Sequence, residues 1–230
     1  MTKPSDKKNG QCLLKEPNRI PTVERLGIQF NFKDLKEEFE KNILTREPIY
    51  NGSFYHGWSV LSTNGSYKDG FHHGSSVYQN MKGKTVFNKD RANEIKLIAD
   101  TEYNQTTEIC QGAFADLIQN LTELGFSPCR ARIIGLPPGK STDWHRDHRD
   151  GFYWIRLHIP LITNDQCFFI TEHDKTHMPA DGSAYLVNTA QMHMAVNEGN
   201  SSRYHFVCQV WDRQGHSKNF PYKEDHIRVF

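Results

Sequence analysis

Long apolar runs are missing from this sequence. No stretch approaches the ~18 residues that a bilayer-spanning helix needs, so an integral membrane protein is not expected. The first twenty residues, MTKPSDKKNGQCLLKEPNRI, carry charges and no apolar core, so a secretory signal is not expected either. Net charge is equally scarce: 28 Lys and Arg against 27 Asp and Glu leave +1. Binding to nucleic acid through bulk charge needs a concentrated positive surface, and that class is set aside. Five cysteines, Cys12, Cys110, Cys129, Cys167 and Cys208, include no C-x-x-C spacing. A zinc ribbon and a thioredoxin-type motif are thereby excluded, and a reducing cytoplasm is the expected compartment. Asn-x-Ser/Thr triplets at Asn51 and Asn64 then read as chance matches. No internal repeat is present. What the chain does have is length and histidine. Its 230 residues suffice for a core without disulfides, in one domain or one domain with an appended lobe. Twelve histidines raise the question of a metal, which the count alone does not answer.

Residues 1 to 20 are polar, are interrupted by Pro4 and Pro17, and read as a mobile tail. Residues 21–128 read as N-terminal strands and supporting helices. Arg25 to Asn31 alternates as a strand, with Ile28 and Phe30 on one face. Asn31 can cap a following helix in which Leu35, Phe39 and Ile43 recur at four-residue intervals. A strand is predicted at His56–Leu61, then a Gly-, Ser-, Tyr- and His-rich loop over 62–80. That loop is a candidate lid, with Tyr67, Phe71, His72 and Tyr78 as wall residues. The stripe Ile109, Ala113, Leu117, Leu121 and Leu124 predicts a helix over 107–124, capped by Thr106 or Thr107 and stopped by Gly125. From Cys129 the period changes to two. Short alternating segments at 131–136, 142–147, 153–162, 166–171, 183–188, 193–197 and 203–211 predict a β sandwich or closed barrel over 129–212. Residues 213–230 are left as a C-terminal extension.

Several motifs compete for the chemistry. Gly135 to Thr142 looks like a phosphate-binding loop, but it is one residue short, and Pro137 and Pro138 remove amide donors that such a loop needs. His145-x-Asp147 on a strand puts two metal-ligand types on one face, two-thirds of a 2-His-1-carboxylate iron(II) set. His148-x-Asp150 does the same, and spacing does not choose between the pairs. About 1.4 His-x-acid pairs are expected by chance at this composition, so the pairs alone could be a solvated turn. Arg156 and His158 share the polar face of a strand whose other face carries Leu157, Ile159 and Leu161. Arg203 and His205 repeat the arrangement opposite Tyr204, Phe206 and Cys208. If these polar faces line an interior, the arginines call for a carboxylate-bearing ligand; otherwise they are the solvent face of an open sheet. His193, ten residues before Arg203, is a candidate third ligand. His173 and His177 share an i, i+4 spacing but lie between predicted strands, so they read as a polar loop, and His72-His73 reads as exposed.

Pro138-Gly139, His145-x-Asp147, Arg156-x-His158-x-Pro160-Leu161, Asn188-Thr189, His193-x-x-x-Asn197 and Arg203-x-His205 occur in that order. Together, with support from Gly57-Trp58, they resemble the core of the aspartyl/asparaginyl β-hydroxylase family of iron(II)- and 2-oxoglutarate-dependent oxygenases. The resemblance is closest to its small bacterial members similar to proline cis-hydroxylases, and it covers roughly residues 129 to 212. It implies a mainly β fold with some α, a double-stranded β-helix (jelly roll) carrying an N-terminal helical layer. It implies His145, Asp147 and His193 as the ligands of Fe(2+), because the family places Pro-Gly seven residues before its first ligand, as Pro138 precedes His145. It implies Arg203 for the distal carboxylate of 2-oxoglutarate, with Arg156 and His158 lining the cosubstrate pocket. The implied reaction consumes O2 and 2-oxoglutarate, releases succinate and CO2, and hydroxylates an unactivated C–H bond. The expected substrate is a small amino acid or derivative, without nucleic acid or membrane partners, and the expected state is a monomer or homodimer. The alternatives are hydroxylation of a peptidyl Asp, Asn or Pro side chain, a cupin-type metalloenzyme such as an isomerase, and a metal-binding module.

Overall fold

Two-residue alternation in the second half of the chain builds two facing antiparallel sheets. The computed structural model describes residues 22–51, 55–69, 77–80, 95–98, 100–145, 147, 155–189 and 191–219. Its first strands are β1 (Val23–Gln29), β2 (Ile49–Asn51), β3 (Tyr55–Ser59), β4 (Leu61–Ser62), β5 (Val77–Asn80), β6 (Ile95–Ile98) and β7 (Gln105–Thr106). The later strands are β8 (Cys129–Leu136), β9 (Lys140–Ser141), β10 (Ile155–Ile162), β11 (Cys167–Thr171), β12 (Lys175–Thr176), β13 (Ser183–Asn188), β14 (His193–Asn197) and β15 (Arg203–Gln209). Helix α1 (Phe32–Glu38) runs into a π-helical turn at Phe39–Ile43, and α2 is Ala113–Glu123.

The larger sheet has the order β1-β13-β10-β15-β8-β3-β2 and the smaller β12-β11-β14-β9. Within β8 to β15 the first strand pairs with the last, the second with the seventh, the third with the sixth and the fourth with the fifth. That nesting is a jelly roll, the double-stranded β-helix. Strand β1 extends its larger sheet at one edge, and β3 with β2 at the other.

Register then sorts the side chains. Phe206 lies opposite both Ile133 and Ile159, and Leu157 opposite Cys208, so all five share one face and are buried. Helices α1 and α2 cover that face with Leu35, Phe39, Ile43, Phe114, Leu117 and Leu121, one continuous apolar core. Asn31 caps α1 as its sequence predicts, its Oδ1 accepting from the Asp34 amide at 3.3 Å. The stop of α2 is also as predicted. Gly125, at φ +81°, donates to the Thr122 carbonyl, and the Phe126 amide donates to that of Leu121, a Schellman closure.

Two segments differ from expectation. Helix α2 starts at Ala113, six residues later than its apolar stripe suggests. Thr107 does not cap it: its hydroxyl donates to the carbonyls of Ser59 at 2.8 Å and Val60 at 3.2 Å, tying 105–107 to the sheet. Ile109 is buried from a turn instead of from the helix. The predicted strand 142–147 is also not continuous. After β9, Thr142 bonds Ala195, His145 and His193 exchange both amide–carbonyl bonds as an isolated bridge, and the Asp147 amide donates to Thr189. Asp143 and Trp144 bulge out between these contacts, and the Asp143 carbonyl turns to the His145 ring. Of the candidate lid, residues 62–69 form a turn closed by the Asp69 carboxylate on the Thr63 amide and hydroxyl. Tyr67 packs into the core, so it is no wall residue; Phe71, His72 and the Tyr78 side chain lie outside the described residues. No helix among the described residues is long and apolar enough to cross a membrane.

Asn197 ties the end of β8 and the start of β11 to the turn between β14 and β15. Its fully buried Nδ2 donates to the carbonyls of Leu136 at 2.9 Å, Pro137 at 3.2 Å and Ser201 at 2.8 Å, and its Oδ1 accepts from the Gly199 amide at 3.1 Å. Asn197→Ala strands several buried backbone groups at once and should cost about 3 kcal/mol of folding stability. Urea unfolding checks it; an unchanged midpoint would mean that water replaces the amide without loss.

Candidate active site

Between the two sheets lies a cavity of about 330 Å³, and the polar side chains of the larger sheet face into it. Arg132, Ile134 and Leu136 of β8, Arg156 and His158 of β10, and Arg203 and Val207 of β15 line one side. Phe169 of β11 with His193 and Ala195 of β14 line the other. The polar faces of β10 and β15 are therefore interior and not the solvent face of an open sheet. All six residues singled out in the sequence, His145, Asp147, His193, Arg203, Arg156 and His158, border this one cavity.

The ligand atoms of His145, Asp147 and His193 lie within 4.8 Å of one another. The antiparallel bridge between His145 and His193 sets the two rings 4.3 Å apart, centroid to centroid. Each ring is held by its Nδ1–H, which donates to a backbone carbonyl: Asp143 at 2.7 Å for His145 and Gln191 at 2.8 Å for His193. That bond fixes the tautomer and leaves both Nε2 lone pairs turned toward Asp147. The Nε2 atoms stand 3.6 Å and 3.9 Å from the two Asp147 oxygens, close enough to share one cation between them. Phe169, also in the cavity wall, stacks on the His193 ring at 4.9 Å.

Electrostatics keeps Asp147 and His193 in the form a metal needs. Burial would by itself raise the Asp147 pKa, but Arg156, His193, His145 and Arg132 outweigh it, and the carboxyl is held below its ordinary value. Arg156 does most of this through an ion pair of 2.8 Å to Asp147. Burial pushes His193 down to about 4, so its imidazole is neutral near pH 7. Two imidazoles and a carboxylate are the donor types of a 2-His-1-carboxylate iron(II) centre, and these residues fit that ion.

At the other end of the cavity sits Arg203, 5% exposed, at the start of β15. Burial lowers its pKa to about 10, which still leaves it charged at neutral pH. No carboxylate among the described residues pairs with it; its Nη2 lies 3.4 Å from His205 Nδ1, and its Nε has no hydrogen-bond partner. His158 and His205 are buried and neutral, their pKa values pushed far down by burial and then by the Arg203 charge. A buried guanidinium with an open donor is costly unless an anion completes it.

Other candidates part from this centre. His177 donates its Nδ1–H to the Cys167 carbonyl at 2.9 Å, and neither it nor His173 joins a metal-capable group among the described residues. His148 and Asp150 lie outside the described residues. Arg132, which the motifs above do not include, lines the cavity from a strand whose flanking residues Ala131 and Ile133 are fully buried. The signal was available: a charged residue inside an apolar strand, the same alternation that singled out Arg156 and Arg203.

A jelly roll whose interior carries a His-Asp-His cluster defines a class of metal-dependent oxygenases and cupins. The aspartyl/asparaginyl beta-hydroxylase family model matches residues 83–213, and the chain belongs to that family. It is thus an oxygenase of the hydroxylase kind. Among solved structures, it is similar to an oxidoreductase of the 2OG-Fe(II) oxygenase family from Burkholderia pseudomallei, at 10% identity and TM-score 0.42, covering 81% of this chain and 94% of that one. It is also similar to IDO from Bacillus thuringiensis, at 7% identity and TM-score 0.36, covering 84% of this chain and 82% of that one. A cupin domain from Bordetella pertussis Tohama I is similar at 16% identity and TM-score 0.30, over 36% of this chain and 82% of that one. No curated protein matches the sequence.

Proposed function

We propose that this protein hydroxylates a small amino acid or a close derivative, using Fe(2+), 2-oxoglutarate and O2. The observation that carries the reading is the cavity itself. A three-donor cluster stands at one place in it, and a buried guanidinium with an open Nε stands at another. His145, Asp147 and His193 would hold the iron, and Arg203 would grip the distal carboxylate of 2-oxoglutarate, with His158 beside it. When bound, the iron and 2-oxoglutarate supply the activation of O2, coupled to loss of CO2 and formation of succinate. The protein's own part is to orient and to exclude water. The Nδ1 bonds aim both imidazoles, Arg156 fixes the carboxylate, and the walls of Phe169, Val207, Ile134 and Leu136 keep the pocket apolar between its charges.

A cavity of about 330 Å³ suits a compact substrate beside the cosubstrate. Iron-loaded protein with 2-oxoglutarate and a panel of free amino acids should release succinate and yield a product heavier by one oxygen atom. Halogenation is not expected, because Asp147 stands where a halogenase of this mechanistic type leaves room for chloride. Chloride-dependent products would overturn the role given to Asp147. Peptide and protein samples run alongside decide the competing reading: oxygen gained only by those would make the enzyme a side-chain hydroxylase of polypeptides. Metal binding with no succinate from any sample would leave a cupin-type isomerase or a metal-binding module.

A further inference from the structure

Arg203 shares its face of β15 with His205, two residues further on. His205 is 2% exposed and is not among the residues that border the cavity. It stands behind that wall, between two residues of the cosubstrate end. Arg203 Nη2 lies 3.4 Å from His205 Nδ1, and the same nitrogen lies 3.5 Å from His158 Nδ1. Register explains the meeting: His205 lies opposite Pro160 on β10, and His158 is two residues from Pro160 on the same face.

The chemistry of the donors sets the direction of both contacts. A guanidinium has N–H groups and no acceptor, so Arg203 donates and His205 Nδ1 offers the lone pair. Burial, and after it the Arg203 charge, pushes the pKa of His158 and of His205 far down, so each ring is neutral and carries one proton. In His205 that proton is then on Nε2. His158 completes its contact only as a donor, through Nδ1–H, and its own Nε2 is bare. Two donors sharing one lone pair make a three-centre bond, which accounts for two long contacts at one nitrogen. His205 Nε2 has no hydrogen-bond partner among the described residues, and the gap beside it, bordered by Thr163, Cys167, Met178 and Arg203, is too narrow for water. A side chain placed there for packing alone need carry no such orphan donor.

What the ring supplies is orientation without neutralisation. A carboxylate at this place would hold the guanidinium at least as firmly, but it would take up the charge that an incoming anion is to meet. A neutral imidazole accepts one N–H and leaves the charge. We infer that His205 is a positioning residue of the cosubstrate end, its Nδ1 lone pair holding Arg203 and His158 in place while the Arg203 charge stays free for the distal carboxylate of 2-oxoglutarate. The inference rests on the proposed oxygenase reading and adds to it a residue that acts through Arg203 from behind the cavity wall.

Three substitutions separate acceptor, charge and bulk. Asparagine can present a neutral oxygen at about the place of Nδ1, aspartate nearly the same shape with a charge, and leucine neither. The iron-loaded proteins are titrated with 2-oxoglutarate by calorimetry in the absence of oxygen, after metal content and thermal melting show that each is folded and loaded. His205→Asn should bind within about threefold of the wild type, His205→Leu about fivefold or more weakly, and His205→Asp at least about tenfold more weakly. Asparagine and aspartate hardly differ in volume, so a role in packing alone predicts equal affinity for those two variants, and that result overturns the inference. Wild-type affinity in His205→Leu, or an asparagine variant as weak as leucine, overturns it as well. Nitrogen-15 NMR of the zinc-loaded wild type, with His205→Asn to identify the resonances, reads the tautomer without relying on how any variant binds. A proton on Nε2 of His205 is expected, and one on Nδ1 overturns the inference while leaving the oxygenase reading in place. A wild type that does not bind 2-oxoglutarate at all sinks that reading, and this inference with it.

Discussion

His193→Ala should abolish turnover and lower ferrous iron affinity by more than about a hundredfold. Loss of a mere hydrogen-bond partner to a metal ligand costs about 10–100-fold in affinity, and loss of the ligand itself exceeds that. Position 193 is particularly sensitive because the residue does two jobs. Its backbone exchanges both hydrogen bonds with His145, and its ring stacks on Phe169, so Nε2 is aimed without freedom to relax. His145→Ala and Asp147→Asn should match it in turnover. Asp147→Ala is the poorer choice: Asn keeps an oxygen that can accept from Arg156, whereas Ala leaves the largely buried guanidinium with neither charge nor acceptor there, a loss of about 3–5 kcal/mol of stability. Metal content after desalting, with manganese(II) as a paramagnetic stand-in, reads the loss directly. His148→Ala is the matching control and should keep its metal. A fully active His193→Ala would remove the proposed centre.

Arg203→Met should weaken 2-oxoglutarate binding by roughly tenfold to more than a hundredfold, the equivalent of a charge-assisted bond of about 1.5–3 kcal/mol. The same substitution should not destabilise the free protein much. Arg203 is buried with no carboxylate among the described residues to balance it, so methionine removes an unfavourable charge while retaining most of the volume. That pairing of outcomes, lost affinity with maintained or raised melting temperature, separates a ligand-binding arginine from a structural one. Titration of iron-loaded protein with 2-oxoglutarate supplies the first half and thermal unfolding the second. Unchanged affinity would move the distal carboxylate to Arg156 or Arg132.

Much of this was legible in one dimension. Leu35, Phe39 and Ile43 lie on one helical face, and all three are buried against the sheet. Gly125 ends α2 because only a residue at ease with positive φ can close that turn. The starts of α1 and α2 show the limit. Asn31 caps α1 with its own side chain, which is a local event, whereas Thr107 is drawn off by the carbonyls of Ser59 and Val60, 48 and 47 residues away. No window on the sequence contains that competition.

The candidate site divides along the same line. Alternation and residue type by themselves determined that Arg156 with His158, and Arg203 with His205, occupy common strand faces, because a strand turns its side chains over every two residues, and they paired His145 with Asp147 as candidate ligands two residues apart. Only the tertiary structure decided that those faces look inward, that Asp143 and Trp144 break the strand so that His145 meets His193, and that Arg156 is bound to Asp147. It alone brought Arg132 into the same cavity. Such facts depend on which strands become neighbours. The nested pairing of β8 with β15 and β9 with β14 joins residues 50 or more positions apart, whose proximity comes from closing the roll and not from any local preference of the chain.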